Sequence, residues 1–549
     1  MKYDVVLVFS KLDERKNPPK VIRDHLGLAF LTTILRNNGY KVKLIHADNL
    51  CLTAEQTANE ILNSKAYLIG FSVIQQNLRT TLKTIEILKK KRAKAKIILG
   101  GHHATLAYKD LLFNYPIDGI FCGEADEQIL KIAERSKLGK NFKNIKGMAF
   151  TENGEIIYEP LDKAPDLDFS YLPARDAITQ IDNQNPSQKI VKILSISSSR
   201  GCIGNCIYCT IPNFYKKPYK EWTIWRGRAA NIVVNEIENL IELFKPNWFE
   251  NFITFVDDDF LSVSDARERA YQIADEILTR KIKGFYKFSS RADSLLKDIK
   301  LLKYLYKAGF VSVFIGVEGG TDKVLKIYRK GLKIDQIKKA IHLLRDINMF
   351  RYDIGFILFN PFISIEELFK SAAFLKDIGI GTPSIWFWQL QALPGTSFEE
   401  TLINDNLAKP NFSHFLPYEY YFIDKKVERI CQFIMKHVQN ERIILNMSGL
   451  LSKLADILLL LKRLKKIKKE VVEKLDKTLQ SYQQKLANEN FNFLKKLEKN
   501  IKESDESWNI IKAQYINKLE KFYSEISKIS IYTIKMIHRH YNDNSTTGI

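Results

Sequence analysis

Cysteine is scarce in this chain, with six residues in 549. A disulfide framework is excluded at that density, and a reducing, oxygen-poor cytoplasm is the expected setting. Long apolar runs are missing as well. The longest near the C-terminus, Ile457 to Leu461, is far too short to span a bilayer, so no membrane span is expected. The N-terminus, Met1-Lys2-Tyr3-Asp4-Val5, has no signal-peptide core. No G-x-G-x-x-G follows the first candidate strand, which argues against a dinucleotide. Zinc-finger and RNP-like motifs are absent, so the net charge of +21 does not by itself point to nucleic acid. Most of that excess is Lys in a Lys/Ile/Asn-rich composition. With 45% hydrophobic and 27% charged residues, real cores are expected. The length suits roughly three to four domains of about 150 residues each.

Three of the six cysteines stand together. Cys202, Cys206 and Cys209 form C-x3-C-x2-C within Ser199-Arg200-Gly201-Cys202-Ile203-Gly204-Asn205-Cys206-Ile207-Tyr208-Cys209. Three thiolates on one short loop can hold three irons of a [4Fe–4S] cluster and leave the fourth open. Ferredoxin ligation uses four cysteines and fits less well. Zinc also wants a fourth ligand, and the nearest downstream histidine is His342, distant in sequence. Cys51, Cys122 and Cys431 are scattered and read as core residues.

Residues 1–150 alternate short apolar runs with helical stripes. Strands are expected at Val5–Phe9, Val42–Ile45, Tyr67–Phe71, Lys96–Leu99 and Gly119–Cys122. Leu28, Leu31, Ile34 and Leu35 mark a helix closed by Gly39. Thr53 with Gln56 makes a capping box for the next, and Leu78 to Leu88 supplies a third. This rhythm implies a flavodoxin-like (Rossmann-type) parallel sheet, whose ligands sit at the carboxyl ends of the strands. There stand Ser72, the run Gly100-Gly101-His102-His103, and Gly123-Glu124. Taken alone, the two histidines are equally well loop residues with satisfied rings.

Residues 151–190 read as a linker, with a turn at Asn153-Gly154 and an extended, proline-spaced stretch from Pro165 to Asp176. Residues 191–400 repeat the β/α alternation. Strands are expected at Ile193–Ser197, Phe252–Val256, Tyr286–Ser289, Val311–Ile315, Asp353–Leu358 and Ile385–Leu390, a partial (β/α)6 barrel. The cysteine loop follows its first strand. Asp257-Asp258-Asp259, Ser290-Arg291, Gly316-Val317-Glu318 and Asn360-Pro361 follow later ones. Each could be an ordinary polar loop; together they read as one ring of ligand contacts. Residues 401–549 are helical, with a Leu450, Leu454, Ile457, Leu458, Leu461 stripe and a Lys-rich face after it. A bundle packed on the barrel is expected, and a cap over the substrate cleft is the sharper alternative.

The cysteine motif, with Tyr208 before its last cysteine and a barrel strand ahead of it, resembles the radical S-adenosylmethionine (SAM) superfamily. The N-terminal domain and the Pro165-to-Asp176 connector resemble its cobalamin-binding branch, over roughly residues 1–400. The resemblance implies Cys202, Cys206 and Cys209 as cluster ligands. It implies Tyr208, Asp257 or Asp258, Arg291 and Glu318 as SAM contacts, with Glu318 equally readable as a partner for a barrel cation. It implies Ser72, Gln75, Gln76, Gly100, Gly101, His102, Gly123 and Glu124 around cobalamin. One departure is the missing D-x-H-x-x-G. In Asp24-His25-Leu26-Gly27 the histidine follows Asp directly and Gly comes too soon, which implies cobalt without a histidine beneath it. The implied activity is methyl transfer through methylcobalamin to an unactivated sp3 carbon of a natural-product or peptide substrate. Radical cyclisation or cyclopropanation is the alternative within the family, and a non-catalytic iron–sulfur or cobalamin sensor the alternative outside it. An external one-electron reductant of flavodoxin or ferredoxin type is implied as a partner.

Overall fold

The computed structural model describes residues 2–13, 21–168, 171–184, 191–246, 252–409, 419–464 and 467–542. Parts of the expected linker (169–170 and 185–190) and most of the expected C-terminal tail (543–549) lie outside them. The chain divides into two units. One comprises Met1–Ser290, Lys300–Phe310 and Ala392–Glu419, the other Arg291–Ile299, Val311–Gln391 and Tyr420–Ile549.

The first unit opens with β1 (Val5–Phe9), β2 (Val21–Arg23), β3 (Val42–His46), β4 (Leu68–Ser72), β5 (Lys96–Gly100), β6 (Gly119–Phe121), β7 (Met148–Glu152) and β8 (Glu155–Tyr158). All but β2 form one sheet in the order β3-β1-β4-β5-β6-β7-β8, parallel through β6 and antiparallel beyond it. Every residue of β1 and β4 is buried, as continuous apolar runs require when both faces are covered. Helices Leu26–Asn37 and Ile129–Lys137 pack Leu28, Ile34, Leu35, Ile129 and Ile132 on the face of Val5 and Leu7. Helices Ala54–Ser64 and Leu78–Lys90 pack Ile61, Leu82 and Ile85 on the face of Val6 and Val8. The Thr53–Gln56 capping box forms as expected. The Asn153-Gly154 turn forms too, but it joins β7 to β8, so the sheet continues to Tyr158 and the linker starts later than residue 151.

The linker is also not wholly extended. Between Pro173 and Pro186 no proline restrains the backbone, and Asp176–Gln184 is helical. Strand β9 (Leu161–Lys163) then precedes β10 (Val191–Ile196), β11 (Ser199–Gly201), β12 (Tyr219–Glu221), β13 (Trp225–Gly227), β14 (Ile253–Phe255) and β15 (Tyr286–Arg291). A second parallel sheet runs β2-β10-β14-β15. Its edge is unexpected. Val21–Arg23, drawn from the N-terminal segment, lies in register with Val191–Ile193, a pairing three residues long that leaves no periodicity to read. Strand β11 pairs antiparallel with β13, and β9 parallel with β12.

In the second unit β16 (Phe310–Glu318, from Val311 onward) pairs in parallel with β17 (Arg351–Phe356). The strand expected at Ile385–Leu390 is a correction. Pro383–Phe387 is a 3-10 turn, with the Trp386 indole donating to Ile380 O at 2.6 Å, and only a single bridge, Phe359 to Gln389, follows it. Helices Lys425–His437, Arg442–Leu464, Lys469–Lys499 and Asp505–Asn542 complete the unit. Residues Arg442–Arg463 are long and apolar enough to cross a membrane by length and composition. The stretch was not evident from run length because Asn446, Ser448, Ser452, Lys453 and Asp456 interrupt it. Its Met447, Leu451, Leu460 and Leu461 are buried in the bundle.

The connector is tied down by charge. Arg175 donates to Asp24 Oδ2 and to Glu236 Oε1, each at 2.6 Å, and to Ser195 O at 3.1 Å. Glu236 Oε2 accepts from Arg228 at 2.6 Å, and all four side chains are almost fully buried. Removing one partner of such a network leaves buried charge uncompensated. Arg175→Met is expected to lower unfolding stability by about 3–5 kcal/mol, measured as a shift of the denaturant midpoint at unchanged slope.

Candidate functional site

A cavity of about 390 Å³ lies in the first unit, where the carboxyl ends of β4, β5 and β6 meet the root of the cysteine loop. Ser72, Gly100, Gly101, His102, Gly123 and Glu124 line it. Gly101 has φ +91°, and a Cβ there would lie 3.0 Å from Ser72 Oγ, so only glycine lets the backbone pass. Gln75 and Gln76 do not line the cavity. They begin the Gln75–Asn77 turn, and Ile74 takes the lining position.

Sequence reasoning missed His25, Phe30, Asp126, Arg200, Phe214 and Tyr215, which also line the cavity. The one available signal was Asp24-His25-Leu26-Gly27. His25 caps helix Leu26–Asn37, its Nδ1 accepting from Leu28 N–H at 3.2 Å. That leaves the proton on Nε2, 2.9 Å from Ser72 Oγ. His102 stacks on Phe214 with ring centroids 4.1 Å apart. Burial lowers both imidazoles to about 4, so both are neutral near pH 7.

The cysteine loop is held from below. Asp257, buried beneath it, accepts from Ser198 Oγ at 2.9 Å, from Ser199 Oγ at 2.7 Å and from Ser199 N–H. Asp258 accepts from Gly201 N–H at 3.0 Å and lines the cavity, and burial raises its carboxyl to about 6. Of the two expected SAM-facing aspartates, Asp258 therefore reaches the cavity and Asp257 serves the loop. Gly201 has φ +104°, and a Cβ there would lie 2.2 Å from Ile224 O. Cys202, Cys206 and Cys209 are half-buried, with Cys202 Sγ accepting from Gly204 N–H at 3.3 Å. Burial, with Cys206, Asp258 and Cys202 nearby, pushes the Cys209 thiol up to about 12. Among the described residues no group of three or more His, Cys, Asp or Glu is placed to hold a single metal ion. Tyr208 is half-buried on the same loop.

Arg291 and Glu318 belong to the second unit. Arg291 pairs with Asp293 at 3.0 Å and donates to Lys330 O at 2.9 Å. Glu318, at φ +67°, lies 3.6 Å from Lys330 Nζ, the barrel-cation partnership that the sequence left open. Cys122 and Cys431 are core residues as expected, while Cys51 is half-buried in a turn.

Residues 196–375 match the radical SAM superfamily and residues 22–133 the B12 binding domain. The chain belongs to the cobalamin-binding radical SAM family. An anaerobic magnesium-protoporphyrin IX monomethyl ester cyclase of Rubrivivax gelatinosus is 25% identical over 336 residues, 58% of this chain and 56% of that protein. The chain thus spans little more than half the length of that relative. An uncharacterized methyltransferase of Pyrococcus horikoshii is 24% identical over 390 residues, 70% of this chain and 79% of that protein. The solved structure of the cobalamin-dependent radical enzyme OxsB, with aqua-cobalamin and SAM bound, superposes with TM-score 0.70 at 18% identity, covering 100% of this chain and 82% of that one. The shared fold is a B12-binding domain, a parallel half-barrel and a helical C-terminal region.

The family's cofactors are a [4Fe–4S] cluster, SAM and cobalamin, and the residues fit them. Part of the lining is apolar, from Leu7, Gly70, Ile98, Phe121, Ile129 and Ile132, a surface whose chemistry suits an aromatic base. A Cβ on Gly70 would come within 2.9 Å of Leu7 Cδ2. His102, also on the lining, presents a neutral ring without a protein hydrogen bond among the described residues. The cysteine loop supplies three thiols and a backbone N–H to sulfur.

Because the folded histidines titrate near pH 4 and unfolded ones near 6.5, the unfolded chain binds more protons between those values. The contribution of these two histidines to the stability of the cofactor-free protein is therefore expected to be full above about pH 6.5 and lost toward pH 4, opposite in sign to that of Asp258, whose raised carboxyl favours the folded state at low pH. The midpoint should fall by several degrees, and His25→Asn, which keeps a capping side chain, should flatten that slope in thermal melts at stepped pH.

Proposed function

We propose that this chain is a cobalamin-dependent radical SAM C-methyltransferase acting on an unactivated sp3 carbon of a natural-product or peptide substrate. The observation that carries this reading is the single cavity lined both by the sheet end at Gly100, Gly101 and His102 and by Arg200, Tyr215 and Asp258 beside the cysteine loop. When bound, the cofactors supply one-electron radical initiation and a transferable methyl group, chemistry that no side chain offers. The protein's share is placement. Cys202, Cys206 and Cys209 hold three irons, and Gly201 and Asp257 fix the loop they stand on. Asp258 and Tyr208 are the proposed SAM contacts of the first unit. Ser72, His25, His102 and the apolar lining at Leu7 and Phe121 receive the corrinoid. Phe30, Phe214 and Tyr215 restrict water around it.

Ring closure with the same cofactors is the second reading, favoured by the likeness to the Rubrivivax cyclase. A flavodoxin- or ferredoxin-type protein is the proposed electron donor, in a reducing, oxygen-poor cytoplasm. Anaerobic reconstitution with iron, sulfide, hydroxocobalamin, SAM and titanium(III) citrate is expected to give 5′-deoxyadenosine and a bound corrinoid absorption band. Cys206→Ala should abolish 5′-deoxyadenosine while keeping that band. A loaded protein that forms no 5′-deoxyadenosine would refute the enzymatic reading and favour a sensor. With a candidate substrate, gain of one CH2 in product mass marks methylation, and loss of hydrogen marks cyclisation.

A further inference from the structure

Strands β11 and β13 form a two-stranded ribbon that leads directly into Cys202. Its register places Arg200 exactly opposite Arg226. Like charges facing each other across antiparallel strands repel, so this pair destabilises the ribbon unless an anion lies between them. Glu124, which follows β6 in the B12-binding domain, supplies that anion. Its Oε1 accepts from Arg200 at 2.5 Å and its Oε2 from Arg226 at 2.6 Å. Tyr219 OH donates to Oε2 at 3.0 Å and accepts from Glu124 N–H at 3.0 Å, holding the carboxylate from the side. Asp126 gives Arg200 a second carboxylate at 3.2 Å, and Pro165 O accepts from Arg226 at 2.6 Å. The Glu124 side chain is 5% exposed, against 15% for Arg200 and 14% for Arg226. Both carboxylate oxygens are thus committed to the ribbon, although Glu124 borders the cavity.

We propose that Glu124 is a positioning residue: by bridging the opposed Arg200–Arg226 pair it fixes the cluster-bearing ribbon against the B12-binding domain, and so sets the placement of cluster relative to corrinoid. It replaces the reading of Glu124 as a cobalamin contact, and it rests on the cofactor assignment of the proposed function. Because Glu124 is also the bridging negative charge near the cysteine loop, its neutralisation leaves two buried guanidinium groups undercompensated, which favours the reduced, more negative cluster.

The test uses the full chain loaded with cluster and cob(II)alamin, with the cluster reduced, and reads the magnetic dipolar coupling between the two paramagnetic centres by pulsed electron paramagnetic resonance. Glu124→Gln is expected to broaden or abolish a coupling that is well defined in the parent protein. The cluster midpoint potential should shift positive, with iron content and cobalamin affinity retained, and Glu124→Asp should restore part of the coupling. If Glu124→Gln does not fold, Tyr219→Phe, which removes both hydrogen bonds of the hydroxyl and leaves the Glu124 charge in place, is expected to broaden the coupling without moving the potential. Unchanged coupling in the folded variant overturns the proposal, as does weakened cobalamin binding with unchanged coupling, which would make Glu124 a corrinoid contact. A parent protein that takes up neither cluster nor cobalamin overturns the cofactor assignment and this proposal together, whereas a fully loaded parent with an insensitive variant overturns the positioning role alone.

Discussion

Four charges with almost no access to water, Asp24, Arg175, Glu236 and Arg228, tie the short strand β2 and the connector onto the second parallel sheet of the first unit. They come from the segment after β2, the connector, the helix Ala230–Phe244 and the end of β13. An ion buried this deeply is tolerable only when its partners are in place, because its desolvation cost is several kcal/mol. The network is therefore a conditional constraint: it is stable when β2 is seated beside β10 and the connector has been drawn in, and costly otherwise. Each guanidinium also reaches backbone, Arg175 to Ser195 O and Arg228 to Ser197 O, so the strand before the cysteine loop is anchored at its carboxyl end. Hydrophobic packing alone, being non-directional, would not select that alignment.

The loop beyond that strand is restrained in the same manner. Asp257 gathers Ser198 and Ser199, Asp258 takes the Gly201 N–H, and Ile207 O accepts from Phe398 N–H at 2.9 Å. Gly201 is where the backbone turns against Ile224 O with no room for a side chain. Three thiols can then remain half-buried on a short, irregular segment whose polar backbone is largely satisfied. The opposite wall uses the same economy of atoms: Gly70 leaves room for Leu7, and Gly101 lets the backbone pass Ser72.

Much of this was legible because it is local. Apolar runs placed β1, β3 to β6 and most of the second series within a few residues, and the C-x3-C-x2-C spacing singled out the cysteine loop. The failures share a cause. β2 is three residues long and pairs with a strand some 170 positions later, and no local period encodes such a partner. Trp386, whose indole turns back to Ile380 O, holds residues 383–387 as a 3-10 turn despite their apolar, strand-like composition. Asp257 and Asp258 look equivalent in sequence, yet one lies under the loop and the other at the cavity, a distinction made by strand direction and pleat. Gln75 and Gln76 came from the family resemblance, and the turn they open carries them off the lining. His25 was visible but set aside for lacking the spacing of a cobalt-ligating motif. The structure gives it a different task, with Nδ1 spent on a helix cap and Nε2 carrying the proton toward Ser72.

That tautomer has a consequence for how the cavity recognises a corrinoid. A neutral imidazole whose lone pair is held by Leu28 N–H can only donate from Nε2, so its cavity-facing edge pairs with an acceptor, here Ser72 Oγ, and not with a metal. Ser72 in turn has its own hydroxyl proton to offer. The His25–Ser72 pair is thus a neutral group beside apolar lining, while two of the lining carboxylates, Glu124 and Asp126, are turned onto Arg200 and a third, Asp258, accepts from Gly201 N–H. The charge of Glu124 and Asp126 is balanced by Arg200 within the protein, and burial raises the Asp258 carboxyl to about 6. Such a cavity selects by shape, apolar area and neutral hydrogen bonds, which suits a large amide-rimmed macrocycle with an aromatic tail far better than a small anion or a bare cation.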